Sequence, residues 1–237
     1  MGIPILILGA SGSGKTASLR NFKPDTVGVF EVAGKPLPFR TKIPYAKTSD
    51  YDVIRKVIKQ GTRKAYVIDD SQYLMAFFMF NHVNETGYGK FTKCAVDFRN
   101  LIDFIVNETP DDTIVYLLHH IDKDEQGFIK AKTQGKMLDN QLTLEGLFTI
   151  VLLCETDGKK HWFTTQSNGL TPAKSPMEMF GAVLRSHYDH MKETDGKDTV
   201  IIAVMPCTAK KFEASREEFI TNGIRDVDYV LTTQGRH

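Results

Sequence analysis

Gly9-Ala10-Ser11-Gly12-Ser13-Gly14-Lys15-Thr16 sets glycines, a lysine and a hydroxyl at the spacing G-x-x-x-x-G-K-[ST]. The chemistry of that pattern is the cradling of a phosphate chain. Glycines let the backbone curl so that successive N–H groups point inward, and a helix beginning at Lys15-Thr16 adds partial positive charge. Lys15 is placed to reach the β- and γ-phosphates of a nucleotide, and the Thr16 hydroxyl to ligate Mg²⁺. The plain alternative is a Gly/Ser turn between a strand and a helix.

A metal partner is expected at the end of a strand beside the first. Lys64-Ala65-Tyr66-Val67-Ile68 is apolar and ends in Asp69-Asp70. Asp69 is the residue expected in the Mg²⁺ shell. Asp70 has two readings: it orients an attacking water, or it N-caps the helix that begins at Ser71. A later strand, Thr113 to Leu118, ends in His119-His120. His119 is the preferred sensor of a terminal phosphate there, His120 the lesser choice, and a solvent-facing strand end the alternative. Adjacent strand residues point to opposite faces, which argues against a shared metal.

The elements that must hold these groups follow from periodicity. Ile3 to Leu8 reads as a buried strand, and the helix after the loop is short because Lys23-Pro24-Asp25 stops it. Thr26 to Glu31 reads as a second strand, and proline-rich Ala33 to Thr48 as a surface excursion. Helices are expected at Tyr51 to Lys59, at the very apolar Ser71 to Val83, at Phe91 to Asn107 and at Lys136 to Leu147. Asp122 to Gly135 reads as a solvated loop or hairpin; the competing reading is a single-strand nucleic-acid contact through Phe128, Lys130, Lys132 and Lys136. Phe148 to Cys154 and His161 to Thr165 flank the turn Asp157-Gly158-Lys159-Lys160, which predicts a hairpin. Strands alternating with helices, with polar groups at strand ends, give a parallel α/β sandwich with its ligand at the strand carboxyl ends.

Bulk properties narrow the rest. The chain has 237 residues, 41% hydrophobic and 25% charged, with net charge +1. That suits an α/β domain with a full core, and no global field draws it to nucleic acid or membrane. Without a long apolar run, no membrane span and a cytoplasmic location are expected. Cys94, Cys154 and Cys207 are odd in number and far apart, which argues against a disulfide framework.

Two resemblances cover different halves. Residues 1–175 resemble phage and prophage RecA-like P-loop nucleotide-binding proteins of the AAA ATPase kind. The residues that carry this are Ile5 to Arg20, Val32 to Phe39, Tyr66 to Met75 and Gly135 to Asp139. The resemblance implies a three-layer fold with a mainly parallel central sheet, ATP and Mg²⁺ as cofactors, and a role in DNA recombination or replication beside single-stranded DNA. It makes Glu31 a catalytic base, against a surface glutamate at a strand end, and Lys174 a candidate for completing a site across a subunit boundary. Self-association, or contact with phage recombination and replication proteins, follows from the same resemblance.

Residues 176–233, within a tail taken as 176–237, resemble a fragment of the catalytic domain of iron-only hydrogenases, through Met205-Pro206-Cys207-Thr208-Ala209-Lys210-Lys211-Phe212-Glu213 and Asp226 to Thr233. In that family the cysteine ligates an iron–sulfur cluster, and the lysine, here Lys210, hydrogen-bonds a cyanide of the two-iron centre. A cubane cluster needs four thiolates. With only Cys94 and Cys154 besides, the expectation is a vestigial Cys207, no iron–sulfur cluster and no hydrogenase activity. The tail predicts a helix Met177 to Met191, a strand Thr199 to Met205, a helix Ala214 to Phe219 and an extended Val227 to Leu231. The joint at Ser175 to Phe180 suggests a fused or misassembled reading frame, with the tail a fragment of foreign origin.

The functional expectation is therefore a Mg²⁺-dependent ATP-binding and hydrolysing protein of phage type. The alternative is a nucleotide-dependent assembly module with little turnover, its apolar helix Ser71 to Val83 serving a partner. A small-molecule kinase uses the same loop.

Overall fold

A computed structural model describes residues 2–123, 127–134, 143–165, 176–192, 199–205, 209–215, 219–221 and 223–232. The first strand, β1 (Ile3–Gly9), is buried from Pro4 onward. It lies between two parallel neighbours, β5 (Ile114–Lys123) and β7 (Ile150–Thr156). Beyond β5 come β4 (Ala65–Asp69), β2 (Val27–Glu31) and β3 (Tyr45–Lys47), all parallel. Beyond β7 lies the antiparallel β8 (His161–Thr164), and β6 (Ile129–Ala131) pairs antiparallel with the far end of β5. The order is β3-β2-β4-β5-β1-β7-β8. The class is α/β, with a mixed, mainly parallel sheet.

Parallel strands must be covered on both faces, and the sequence supplies the cover. On one side, α2 (Tyr51–Lys59), α3 (Gln72–Asn81) and α4 (Gly89–Glu108) bring Ile54, Ile58, Leu74, Met75, Phe98, Leu101 and Ile105 against Leu6, Leu8, Ile68 and Leu117. The helix α2 forms where it does because the Asp50 carboxylate caps it, accepting from the N–H groups of Asp52 and Val53. On the other side, Ile5, Ile7, Val29 and Val67 pack with Leu19 and Ile43. Alternate strand residues thus feed opposite layers, as the two-residue period requires. Burying each of these aliphatic side chains stabilises the fold by roughly 1.5–3 kcal/mol.

Several expectations need correction. β4 is not beside β1, because β5 stands between them. The excursion after β2 holds an edge strand, β3, whose side chains are exposed and carry no apolar alternation to announce it. β5 runs on through His119-His120 to Lys123, since β6 folds back to pair with it. The expected helix from Lys136 falls mostly outside the described residues, and its end, Leu144–Leu147, is a 3₁₀ turn.

In the tail, α5 (Pro176–Lys192) matches the expected helix. The strand is shorter than expected, β9 (Ile202–Met205), and the second helix lies earlier, as α6 (Ala209–Ala214). Two short strands, β10 (Ile220–Thr221) and β11 (Ile224–Arg225), form a ribbon, and β12 (Tyr229–Thr232) pairs parallel with β9. A separate small core joins Met177, Ala214 and Val227 with Ile201, Ala203 and Val230. No described helix is long and apolar enough to cross a membrane.

Candidate functional site

At the carboxyl ends of β1, β2, β4 and β5 the chain leaves a cavity of about 410 Å³. Its floor is the loop from Ser11 to Thr16, and its walls carry Glu31, Asp69, Asp70, His120, His161 and Lys35. The turn into α1 (Lys15–Ser18) needs Gly14, whose φ is 101°. A side chain there would meet His161 Nδ1 at 2.7 Å. A side chain at Gly9 would meet the Cys154 carbonyl at 2.8 Å, so the loop also has to lie close on β7.

Lys15 is buried and donates to the Gly9 and Ala10 carbonyls at 2.6 and 3.0 Å. Burial lowers its pKa from the ordinary lysine value, against the attraction of Asp70 and Asp69. Thr16 Oγ1 donates to Asp69 Oδ1 at 3.0 Å. Burial pushes the Asp69 carboxyl up to about 6, although the Thr16 hydroxyl bond pulls the other way. Glu31 is 2% exposed, and among the described residues its Oε2 has no hydrogen-bond partner. Burial, then the charges of Asp69 and Asp70, raise its pKa. The reading of Glu31 as a surface residue is therefore corrected: the end of β2 is covered.

Asp70 adopts a left-handed conformation, φ 57°, which asparagine and aspartate tolerate better than other side chains. Its carboxylate receives Lys35 Nζ at 2.7 Å and His120 Nε2–H at 3.1 Å. Burial would raise its pKa, but the hydrogen bonds from His120 and Lys35 outweigh it and hold the carboxyl at about 2. Asp70 does not cap α3. The N-cap is Ser71, which makes no side-chain capping bond.

His119 is fully buried and absent from the cavity lining. Its ring lies edge-on to Phe98, Nδ1 is 2.9 Å from Ser71 Oγ, and Nε2–H donates to the Lys132 carbonyl at 2.7 Å. Burial lowers its pKa to about 4. The alternation of β5 put one histidine into the helical layer and the other at the cavity, and the preference for His119 fell on the inward one. Lys35 and His161 also escaped the sequence reading. Lys35 enters from the proline-rich excursion, and His161 from β8, where Nδ1–H donates to the Ser13 carbonyl at 2.8 Å. The turn at Asp157-Gly158 was the available signal for β8, but nothing local tells that its first residue reaches the loop.

Taken together, the cavity brings two lysine ammonium groups, the Thr16 hydroxyl and three carboxylates to the loop, with Thr16 bonded directly to Asp69. Among the described residues no group of three His, Cys, Asp or Glu side chains could hold a metal ion. Lys174 lies outside the described residues.

The comparisons with known proteins concern the other end of the chain. Residues 159–235 match the family model "Iron only hydrogenase large subunit, C-terminal domain". Iron hydrogenase 1 of Clostridium pasteurianum is 39% identical over 75 residues, 32% of this chain and 13% of that protein. The NADP-reducing hydrogenase subunit HndD of Solidesulfovibrio fructosivorans is 41% identical over 75 residues, with the same coverage of each. A cytosolic Fe-S cluster assembly factor NAR1 homolog of Schizosaccharomyces japonicus is 33% identical over 63 residues, 27% of this chain and 12% of that protein. The chain thus spans about an eighth of the length of these relatives.

These matches overturn the functional expectation. They point to hydrogenase and Fe-S assembly proteins, and neither a phage-type ATP-hydrolysing protein nor a nucleotide-dependent assembly module is supported by them. The same holds for the AAA-type, phage and DNA-recombination assignments. The expectation that no iron–sulfur cluster is involved is overturned too, because the relatives of this stretch carry iron or Fe-S clusters in their names. The error lay in counting only thiolates within this chain, whereas the match is to a small part of much longer proteins.

The described residues do not by themselves fit a cluster. Cys94 is buried in the layer of α2 to α4, its Sγ donating to the Met75 carbonyl, and burial pushes its thiol up to about 12. Cys154 sits in the opposite layer, donating to the Ser13 carbonyl at 3.1 Å, its pKa also raised by burial. Cluster ligands are thiolates, and these two are protonated and separated by the sheet. Cys207 lies outside the described residues. Lys210 donates to Glu213 Oε2 at 2.5 Å.

Proposed function

We propose that residues 159–235 serve as part of an iron–sulfur domain of the hydrogenase or Nar1 kind, with Cys207 the thiolate this stretch supplies. The family match over these residues carries the reading. Cys207 supports it, standing in the Met-Pro-Cys-Thr context in which the hydrogenase resemblance implies a cluster ligand. A cluster of the cubane type takes four thiolates and, when bound, supplies one-electron transfer. Because Cys94 and Cys154 are committed to separate cores, the other ligands come from further polypeptide. Anaerobic incubation of the full chain with ferrous iron, sulfide and an excess of dithiothreitol, whose thiolates stand in for the ligands from further polypeptide, tests this. Bound iron and sulfide with charge-transfer absorption are expected, and Cys207→Ser should lose them while Cys94→Ala keeps them. Equal iron in the wild type and Cys207→Ser would overturn the assignment.

A second reading is favoured by the bond between Thr16 and Asp69 and the buried Lys15 beside them. We propose that Gly9 to Thr16 hold a phosphate-bearing anion, with Mg²⁺ on Thr16 and Asp69. Lys15 neutralises the anion, while Glu31 and Asp70 line the cavity wall, Asp70 positioning Lys35 and His120. His119 acts at a distance, by fixing the hairpin behind His120. This requires neither ATP turnover nor a phage setting. A RecA-like strand order is our reading of the sheet, supported by β5 standing between β1 and β4. The division at residues 175 and 176 is likewise proposed, supported by the separate core of the tail.

A further inference from the structure

β9 and β12 form a two-stranded parallel pair in which Tyr229 stands beside Ile202 and Leu231 beside Val204. Paired residues of neighbouring strands share a face, and alternate residues take the other. One face, with Ile201, Ala203 and Val230, packs onto Met177, Ala214 and Val227. The opposite face presents Ile202, Val204, Tyr229 and Leu231, continued by Val200, and each is between 54% and 65% exposed. No charged residue interrupts this set.

Among the described residues nothing covers this face, which is out of keeping with the strand geometry. Parallel sheets are found almost only with both faces covered, and an isolated two-stranded pair is marginal in water. Five such residues, each more than half exposed, together leave roughly 500 Å² of surface, most of it apolar. That is near the largest patch a monomer ordinarily tolerates. Two such faces laid together would remove about 1,000 Å², the threshold for a specific interface. Being uniformly apolar, the patch is complementary to itself, which an isologous two-fold contact requires. Elsewhere the exposed Phe80, Val83 and Tyr88 are interspersed with Asn81, His82, Asn84 and Glu85 and make no such continuous face.

We propose that the chain dimerises through this face, the β9–β12 sheet of one copy stacking on that of a second at the usual sheet separation of about 10 Å. The proposal is independent of iron and of the cavity at Gly9 to Thr16.

Sedimentation velocity and light scattering on the full chain in iron-free buffer test it. The wild type is expected at twice 26.7 kDa. Ile202→Lys with Leu231→Lys should give the monomer, while Phe80→Lys should leave the dimer intact. If the lysine pair disturbs folding by circular dichroism, Ile202→Thr with Leu231→Thr keeps strand preference while removing apolar surface. That pair should raise the dissociation constant at least tenfold with an unchanged spectrum. A wild-type monomer overturns the proposal, and so does a dimer that survives the threonine or lysine pair. Capture of some other protein by a monomeric wild type would count against it equally.

Discussion

Thr16 and Asp69 are 53 positions apart in sequence and joined by a 3.0 Å hydrogen bond, hydroxyl to carboxylate. The bond holds together the two donors proposed for Mg²⁺, one from the loop after β1 and one from the end of β4. It also means that a metal would enter by displacing a hydroxyl proton donor from a carboxylate that burial already disfavours as an anion.

Lys15 and Asp69 should therefore contribute separably to anion binding. With inorganic pyrophosphate as the probe, calorimetry on the wild type should show binding that strengthens when Mg²⁺ is added. Lys15→Ala removes a charge-assisted contact and should weaken binding by about 1.5–3 kcal/mol, at least tenfold. Asp69→Asn should abolish the Mg²⁺ enhancement while leaving weak metal-free binding. No pyrophosphate binding by the wild type, or binding indifferent to Lys15, would remove the second functional reading and leave the iron–sulfur one untouched.

Asp69 should also cost stability in the absence of ligand. Its folded pKa, about 6, lies above the ordinary 3.8, so the folded state binds the proton more tightly than the unfolded state does. The penalty is absent below pH 3.8, grows as pH rises through about 6, and is full at pH 7 to 8. A separation of that size corresponds to roughly 3 kcal/mol as an upper bound. Asp69→Asn should raise the melting temperature at pH 7.5 and lose that advantage by pH 4. A variant equally stable to the wild type at both pH values would show that burial does not strain this carboxylate.

His119 gives the opposite acid dependence. Its folded pKa, about 4, lies below the ordinary 6.5, so the unfolded chain takes up a proton that the folded chain resists. Its favourable contribution is present above pH 6.5 and falls away toward pH 4, by up to roughly 3 kcal/mol. Chemical denaturation across that range should show the decline in the wild type and a flatter profile in His119→Gln. His119→Gln should also be less stable at pH 7 by about 1–3 kcal/mol, because Lys132 and Ser71 lose a well-placed partner. A profile unchanged by the substitution would refute the assignment of a neutral, structurally committed histidine.

What could be read in advance follows the range of the forces involved. Apolar runs marked β1, β2, β4, β5 and β7, because a strand covered on both faces must be apolar throughout. The alternation that separates His119 from His120 was visible too, but not which face was core. That depends on α4, whose Phe98 meets His119 from another part of the chain. β3 carries exposed residues and is a strand only because the edge of β2 offers it hydrogen bonds. The displaced α6 and the shortened β9 belong to a small core with few apolar contacts, where local preference decides little.

The functional reading shows the same limit. A loop motif reports local phosphate chemistry, and the cysteine count reports only the thiolates inside one chain. Neither reports the similarity of residues 159–235 to a small part of much longer proteins.

By itself the sequence determined the local conformations: the glycine-dependent loop before Lys15, the carboxylate pair ending β4 and the hairpin around Asp157-Gly158. Each is set by residues within a few positions of one another. Only the tertiary structure decided that Lys35 and His120 share the Asp70 carboxylate, that His161 closes on Ser13, and that Glu31 is buried with no partner for Oε2 among the described residues. Those relationships depend on strand order and on which alternate residues the helices cover, and strand order is fixed by contacts between distant segments. It also decided that one face of the β9–β12 pair is left uncovered among the described residues, since exposure belongs to the packed molecule and not to any stretch of the chain.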